Sequence, residues 1–194
     1  GFGPCVATGP LHLGDAVANN AQNDLTTAYN TLAGLPCPPA NAIVADLGGT
    51  TKPAGVYCTA SGIGVTGPLT LDGGGDPNAV FVFQAGTSLT TAGSVILING
   101  AQAKNVFWQV GSAARIEDGS SMVGTIIAPA GVTIPTAGQT IQTTLTGRAL
   151  GLTAAGTMVN PTTVPPAPGA RQPPPRHAPP LPRPPRGNPA TPPP

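Results

Sequence analysis

The residues able to carry acid–base, nucleophilic or metal chemistry are few, and their spacing brings almost none of them together. Beyond the first helical stretch the only acids are Asp46, Asp72, Asp76, Glu117 and Asp118, and only Asp72 with Asp76 and Glu117 with Asp118 are neighbours. Glycoside cleavage needs two carboxylates held at a set separation, and lyase chemistry needs a base beside Arg or Lys in a groove. His12 and His177 are far apart, and no Ser-His-Asp or Cys-His arrangement follows from the spacing. Asp72-Gly73-Gly74-Gly75-Asp76-Pro77-Asn78 has calcium-loop oxygens but not the alternating ligand run of an EF-hand, so it reads as a glycine-rich turn. Cys5, Cys37 and Cys58 match neither a zinc spacing nor a Cys-x-x-Cys redox site. An extracellular disulfide between Cys37 and Cys58 is expected; it would tie the end of the first helix to the first strands and stabilise by about 3 kcal/mol. Cys5 is left as a free thiol or as half of a bond to a cysteine outside this chain. No catalytic residue, metal or cofactor is expected, and the chain is not read as an enzyme.

Composition narrows the remaining classes. From Pro161 to Pro194 the chain holds 16 of its 26 prolines and almost no apolar material beyond Val164 and Leu181, so this stretch reads as an extended polyproline II or disordered tail. The net charge of +1 divides unevenly: the tail carries Arg171, Arg176, Arg183 and Arg186 without an acid, and the body has four bases against seven acids. A neutral to acidic body lacks the basic face that nucleic-acid binding requires. No apolar run is long enough to span a membrane, and the opening at Gly1 without a methionine or apolar leader reads as a processed or truncated terminus. Domain bounds follow: an N-terminal remnant over 1–13, a packing helix over 14–34, a β region over 35–160 and the tail over 161–194.

The elements that must position any surface come next. Asp15 can cap a helix whose apolar stripe is Val17, Ala21, Leu25, Ala28, Tyr29 and Leu32, with Gly34 and Pro36 ending it. After Gly34 the chain reads as short strands between Gly, Pro and Asn corners: 43–45, 55–57, 69–71, 80–83, 95–98, 106–108, 125–128, 132–134 and 157–159. Phe83-Gln84-Ala85-Gly86 returns as Trp108-Gln109-Val110-Gly111, each copy leading into a strand-like run, Ser88–Gly93 and Arg115–Gly119. Gly124 and Gly147 open a second echo with a similar period. Similar units repeated in the same order favour a solenoid of stacked coils over a sandwich.

These residues carry a resemblance. Gly14-Asp15-Ala16-Val17-Ala18, Leu47-Gly48-Gly49-Thr50, Pro53-Ala54-Gly55-Val56-Tyr57, Leu69-Thr70-Leu71-Asp72, Gly75-Asp76-Pro77-Asn78-Ala79-Val80-Phe81, Asn105-Val106-Phe107-Trp108-Gln109 and Gly147-Arg148-Ala149-Leu150 follow one another as in the ice-binding family of microbial β-solenoids. The chain resembles that family from about Leu11 to Asn160. The resemblance implies a mainly β fold, a right-handed parallel β-solenoid of roughly triangular section with one long α-helix alongside. It also implies N-terminal coils that this chain lacks, and Lys104 stands where related sequences often carry a cysteine.

An ice binder needs a flat, rigid, uncharged and moderately apolar face. Threonine suits it, with a methyl and a hydroxyl on a stiff β-branched side chain, and stacked coils supply a spacing of about 4.8 Å. With Leu89, Ile116 and Ile134 pointing inward, Thr90 and Thr133 point outward. The corners add Thr91-Ala92-Gly93-Ser94 and Thr136-Ala137-Gly138-Gln139, which resemble the family's Thr-Ala/Gly-x-Thr/Asn motif. The expected ice-contacting set is therefore Thr66, Thr90, Thr91, Ser94, Thr133, Thr136, Thr153 and Thr157, with Glu117 and Asp118 falling inside the row as its flaw. The expected partner is an ice crystal surface, met by a secreted or cell-surface monomer whose tail spaces it from a cell wall. A non-catalytic adhesin or structural module on the same fold stays open as the alternative, and Pro179–Arg186 also has the PxxP spacing that SH3-like grooves bind.

Overall fold

The computed structural model describes residue 12, residues 14–44, 46–134 and 142–154, and the backbone of 157–158 and 162–164. Among these residues there is one α-helix, α1 (Ala16–Ala33), which begins where Asp15 accepts the Ala18 amide and ends at Gly34, whose N–H donates to the Asn30 carbonyl. Of the apolar stripe, Leu25, Tyr29 and Leu32 are half-buried, joined by Ala18, while Val17 is 55% exposed and no helix residue is fully buried.

The strands follow as β1 (Thr51–Pro53), β2 (Gly55–Thr59), β3 (Ile63–Val65), β4 (Leu69–Asp72), β5 (Phe81–Ala85), β6 (Leu89–Thr91), β7 (Val95–Ile98), β8 (Val106–Val110), β9 (Ala114–Ile116), β10 (Ser121–Ala128), β11 (Val132–Ile134), β12 (Thr144–Gly151), β13 (Thr157–Met158) and β14 (Thr162–Val164). They stack in parallel into three sheets: face A is β2-β5-β8-β10-β12-β14, face B is β1-β4-β7 and face C is β3-β6-β9-β11-β13. The chain visits A, C and B in turn, which makes a β-solenoid. Ile43 and Val44 do not form the expected strand. Ala42 makes one isolated bridge to Cys58, Ile43 and Val44 lie outside any strand, and Ala45 is outside the described residues. At the far end β14 pairs with β12 beyond Asn160, so the sheet runs into what composition assigns to the tail.

Coil boundaries follow from the register. Gly55 stands against Phe81 and Phe81 against Val106, so Gly55–Val80 and Phe81–Asn105 are successive full coils of nearly equal length. Phe83 and Gln84 lie directly against Trp108 and Gln109, so the repeated motif is a coil repeat. The next coil is shorter, closing already between Ala114 and its register partner Val132. The saving comes from β10, which starts beside β7 at the Ser94–Ser121 bridge and reaches face A by Thr125, against Phe107. Gly124 makes this bend at φ +99°, and a Cβ there would fall 2.4 Å from the Val106 carbonyl oxygen. A single glycine thus turns an unbroken strand, Ser121–Ala128, from one face onto the next.

Inward residues from all three faces form one core. Tyr57, Phe83 and Trp108, from three successive coils, stack with ring centroids 5.3 and 4.2 Å apart. The buried indole donates to the Val123 carbonyl at 2.9 Å and the Tyr57 hydroxyl to that of Pro53 at 2.8 Å, so both polar tips are satisfied. The Cys37–Cys58 disulfide forms as expected, joining the segment after α1 to β2.

The β1–β3 end of the stack is covered. Ile43 donates to the Cys58 carbonyl at 2.7 Å and Leu47 to that of Gly64 at 2.9 Å. Between them the Asp46 carboxylate accepts the Gly48 amide at 2.7 Å and both the amide and hydroxyl of Thr66 at 3.0 Å. It occupies the space a side chain on Gly64 would need, with a Cβ there only 2.3 Å from Asp46 Oδ2. A charge folded over a sheet edge discourages edge-to-edge pairing.

Candidate functional site

The three faces differ in what they present. On face A the outward side lies under α1: the Gln84 amide donates to the carbonyls of Leu32 and Leu35 at 2.7 and 3.0 Å, and the Tyr29 hydroxyl to that of Val110 at 3.3 Å. Faces B and C carry the remaining outward rows.

Face C consists of short strands in which only the middle residue points out; both ends of β6, β9 and β11 are buried. Leu89, Ile116 and Ile134 do point inward and Thr90 is exposed with Thr133 half-buried, as alternation requires. Thr91, however, also points inward. It is 0% exposed, lies between Val65 and Ile116 in register, and cannot touch any external surface. The charge inside the row is also different from that expected. Arg115 stands directly between Thr90 and Thr133, whereas Glu117 follows in the corner, its carboxylate 2.5 Å from Arg115 Nε. That bond and the negative charge raise the Arg115 pKa above its ordinary value, so face C carries a fixed ion pair at its centre.

The other expected residues divide. Thr66 is exposed, with its hydroxyl committed to Asp46. Thr153 is exposed and donates to the Pro129 carbonyl at 2.8 Å. Ser94 is half-buried at the start of the bridge to Ser121. Thr136 lies outside the described residues, and only the backbone of Thr157 is described, paired with Thr133.

Face B carries an outward row that sequence reasoning missed. Thr51 stands against Thr70 and Thr70 against Ile96, all β-branched and uncharged. Beside it run Pro53, Asp72 and Ile98. Ile96 and Ile98 are 44% and 37% exposed, so the β7 side of the face is open and apolar. Lys52 alternates to the other side, its ammonium 5.5 Å from the Tyr57 ring centroid. Asp72 is tied back by the Gly74 amide at 2.8 Å and the Asn99 amide at 2.9 Å, contacts that hold its pKa below the ordinary value. Along the corner toward face C, Ser94, Ser121 and Thr144 continue the hydroxyl line, with the Thr144 hydroxyl donating to Ser121 at 3.1 Å. The Leu69-Thr70-Leu71-Asp72 alternation carried the signal for Thr70; Val95-Ile96-Leu97-Ile98, apolar throughout, did not show which side faces out.

Among the described residues no group of three or more His, Cys, Asp or Glu could hold a metal ion, and no helix is long and apolar enough to cross a membrane. Comparison with known proteins points the same way as the geometry. A protein titled ice-binding protein from Nostoc sp. (strain HG1) is 46% identical over 138 residues, 70% of this chain and 51% of that protein. The chain thus spans about half the length of that relative. The crystal structure of an ice-binding protein from the Antarctic ascomycete Antarctomyces psychrotrophicus superposes with a TM-score of 0.76 at 40% identity, covering 84% of this chain and 78% of the other. One from an Antarctic biological consortium gives 0.74 at 41% identity, over 81% and 70%. The Ice-binding-like family model matches residues 2–164, the helix and the whole stack of coils, and this chain belongs to that family.

Proposed function

We propose that this chain adsorbs to ice and slows crystal growth and recrystallisation, and that contact is made through face B. The observation that carries the site is the register row Thr51–Thr70–Ile96, an uncovered line of uncharged β-branched side chains on rigid stacked strands. Spacing along it is about 4.8 Å, and each side chain is stiff at χ1, so the row can order water without first being ordered itself. Ser94, Ser121 and Thr144 extend the surface around the corner. Face C, where Thr90 and Thr133 flank the Arg115–Glu117 pair, is the weaker choice because a hydrated ion pair disrupts an ordered water layer. The reading is of a non-catalytic protein acting outside the cell. The Cys37–Cys58 disulfide supports that compartment, and the proposed roles of the tail as a spacer and of the chain as a monomer rest on sequence alone.

The test compares Thr70→Tyr with Thr90→Tyr on folded protein, reading thermal hysteresis and ice recrystallisation. Thr70→Tyr removes most of the activity and Thr90→Tyr little. The reverse result moves the site to face C. Ice grains coarsening at the buffer rate with folded wild-type protein refute ice binding itself and favour an adhesin.

A further inference from the structure

The way α1 lies on face A leaves space beneath it. The helix is held at its C-terminal half by Gln84 of β5, which donates to the Leu32 carbonyl, and by its own Tyr29, which donates to the Val110 carbonyl of β8, and farther back by Gln22, whose amide donates to the Leu152 carbonyl just past β12. Between these attachments it crosses β10 and β12 without burying a single residue completely. The result is a groove of about 520 Å³, within the range of small-molecule sites. Leu25, Ala28 and Leu32 line one wall, and Phe107, Ile127 and Leu150 the other.

Two polar groups on the sheet wall are uncommitted among the described residues. Arg148 is exposed and forms no ion pair there; those that form are His12–Asp15 and Arg115–Glu117. Thr125 is its partner in register, lines the same groove, and makes no side-chain hydrogen bond among the described residues. On the helix wall, Thr27 and Thr31 spend their hydroxyls on the carbonyls of Asn23 and Thr27, and Asp24 lines that wall, which leaves the sheet wall as the place for an anionic group. An apolar trough with a free guanidinium and a free hydroxyl side by side matches one ligand chemistry. We propose that the groove binds a single-chain amphiphile with an anionic head group, the acyl chain lying under α1 and Arg148 with Thr125 holding the head.

The experiment titrates the full chain with cis-parinarate and displaces the probe with palmitate, lysophosphatidylglycerol or hexadecanol below their micelle thresholds. Saturable binding of one probe per chain is expected. Arg148→Gln, a change at an exposed unpaired side chain, should weaken palmitate about tenfold while leaving hexadecanol unchanged. Ala28→Trp should fill the groove and abolish all three, with circular dichroism confirming the fold. Stronger displacement by palmitate or by the lysolipid tells a free carboxylate from a phosphodiester head. Absence of saturable probe binding, an Arg148→Gln variant equal to wild type, or hexadecanol displacing as well as palmitate overturns the proposal. So does a concentration-dependent dimer dispersed by Ala28→Trp without probe binding, which would make the groove a contact between copies of the chain.

Discussion

Replacing Thr91 with Val exchanges a hydroxyl for a methyl at a site with no access to solvent. Thr91 is 0% exposed, and its Oγ1 is the buried side-chain oxygen that finds no hydrogen-bond partner among the described residues. Thr143 shows what the core normally demands: equally buried, its hydroxyl accepts the Gly119 amide at 3.1 Å and donates to the Glu117 carbonyl at 3.3 Å. An unpartnered buried hydroxyl costs about 1–3 kcal/mol, and Val at this place also packs against Val65 and Ile116, its register neighbours. Thr91→Val is therefore expected to stabilise by about 1–2 kcal/mol, raising Tm by about 2–4 °C for each kcal/mol in a chain of this size. Calorimetry reads the shift directly, and thermal hysteresis should not change, because the side chain never reaches the surface. Thr91→Tyr should instead overpack the core, costing about 1–3 kcal/mol or more and lowering Tm. A lower Tm for Thr91→Val would refute the reasoning and show that the hydroxyl has a partner, such as an enclosed water.

Other expectations concern the scaffold. Reduction of Cys37–Cys58, or Cys58→Ser, should lower stability by about 3 kcal/mol in urea titrations run with and without reductant. Gly147→Ala places a Cβ 1.8 Å from the Gly124 carbonyl oxygen and should cost about 4 kcal/mol or more, seen as loss of soluble folded protein. For Asp46, burial raises the pKa, but the Thr66 and Gly48 amides and the Thr66 hydroxyl outweigh it and hold it below 3.8. A depressed folded pKa contributes stability that is complete above pH 3.8 and lost as pH falls through the lower folded value, so Asp46→Asn should flatten the acid limb of a Tm–pH curve.

The helix was legible because a capping Asp and an apolar stripe at helical spacing are local signals, and the coil repeat because a large aromatic followed by Gln must stack on its own copy. The Cys37–Cys58 disulfide was legible because it ties the end of the helix to the first strands. The row on face C was misjudged by one step: in so short a strand both ends can be buried, so Thr91 turned inward and Arg115 took the place given to Glu117. Gly124 marked the start of the second echo in the sequence, yet only tertiary register reveals that it bends a strand in place. Face B escaped notice because Ile96 and Ile98 are apolar on the outside, and hydrophobicity alone assigns such residues to the core.

The shortening of the coil after β9 sets a limit on area. Between Ser94 and Phe107 the chain travels the whole of β7 and the turn beyond it, while the path from Ser121 to Thr125, between the register partners of those same two residues, stays within one strand and cuts the corner. Among the described residues the coil that ends in β10 therefore adds no strand to the plane defined by β1, β4 and β7. Duplicating a full-length coil, of the kind running Gly55–Val80 or Phe81–Asn105, ahead of β10 would add a strand to that plane. Among the described residues the flat part of the footprint is therefore set by the coils that precede β10, while β10 and β12 add only the Ser121 and Thr144 edge.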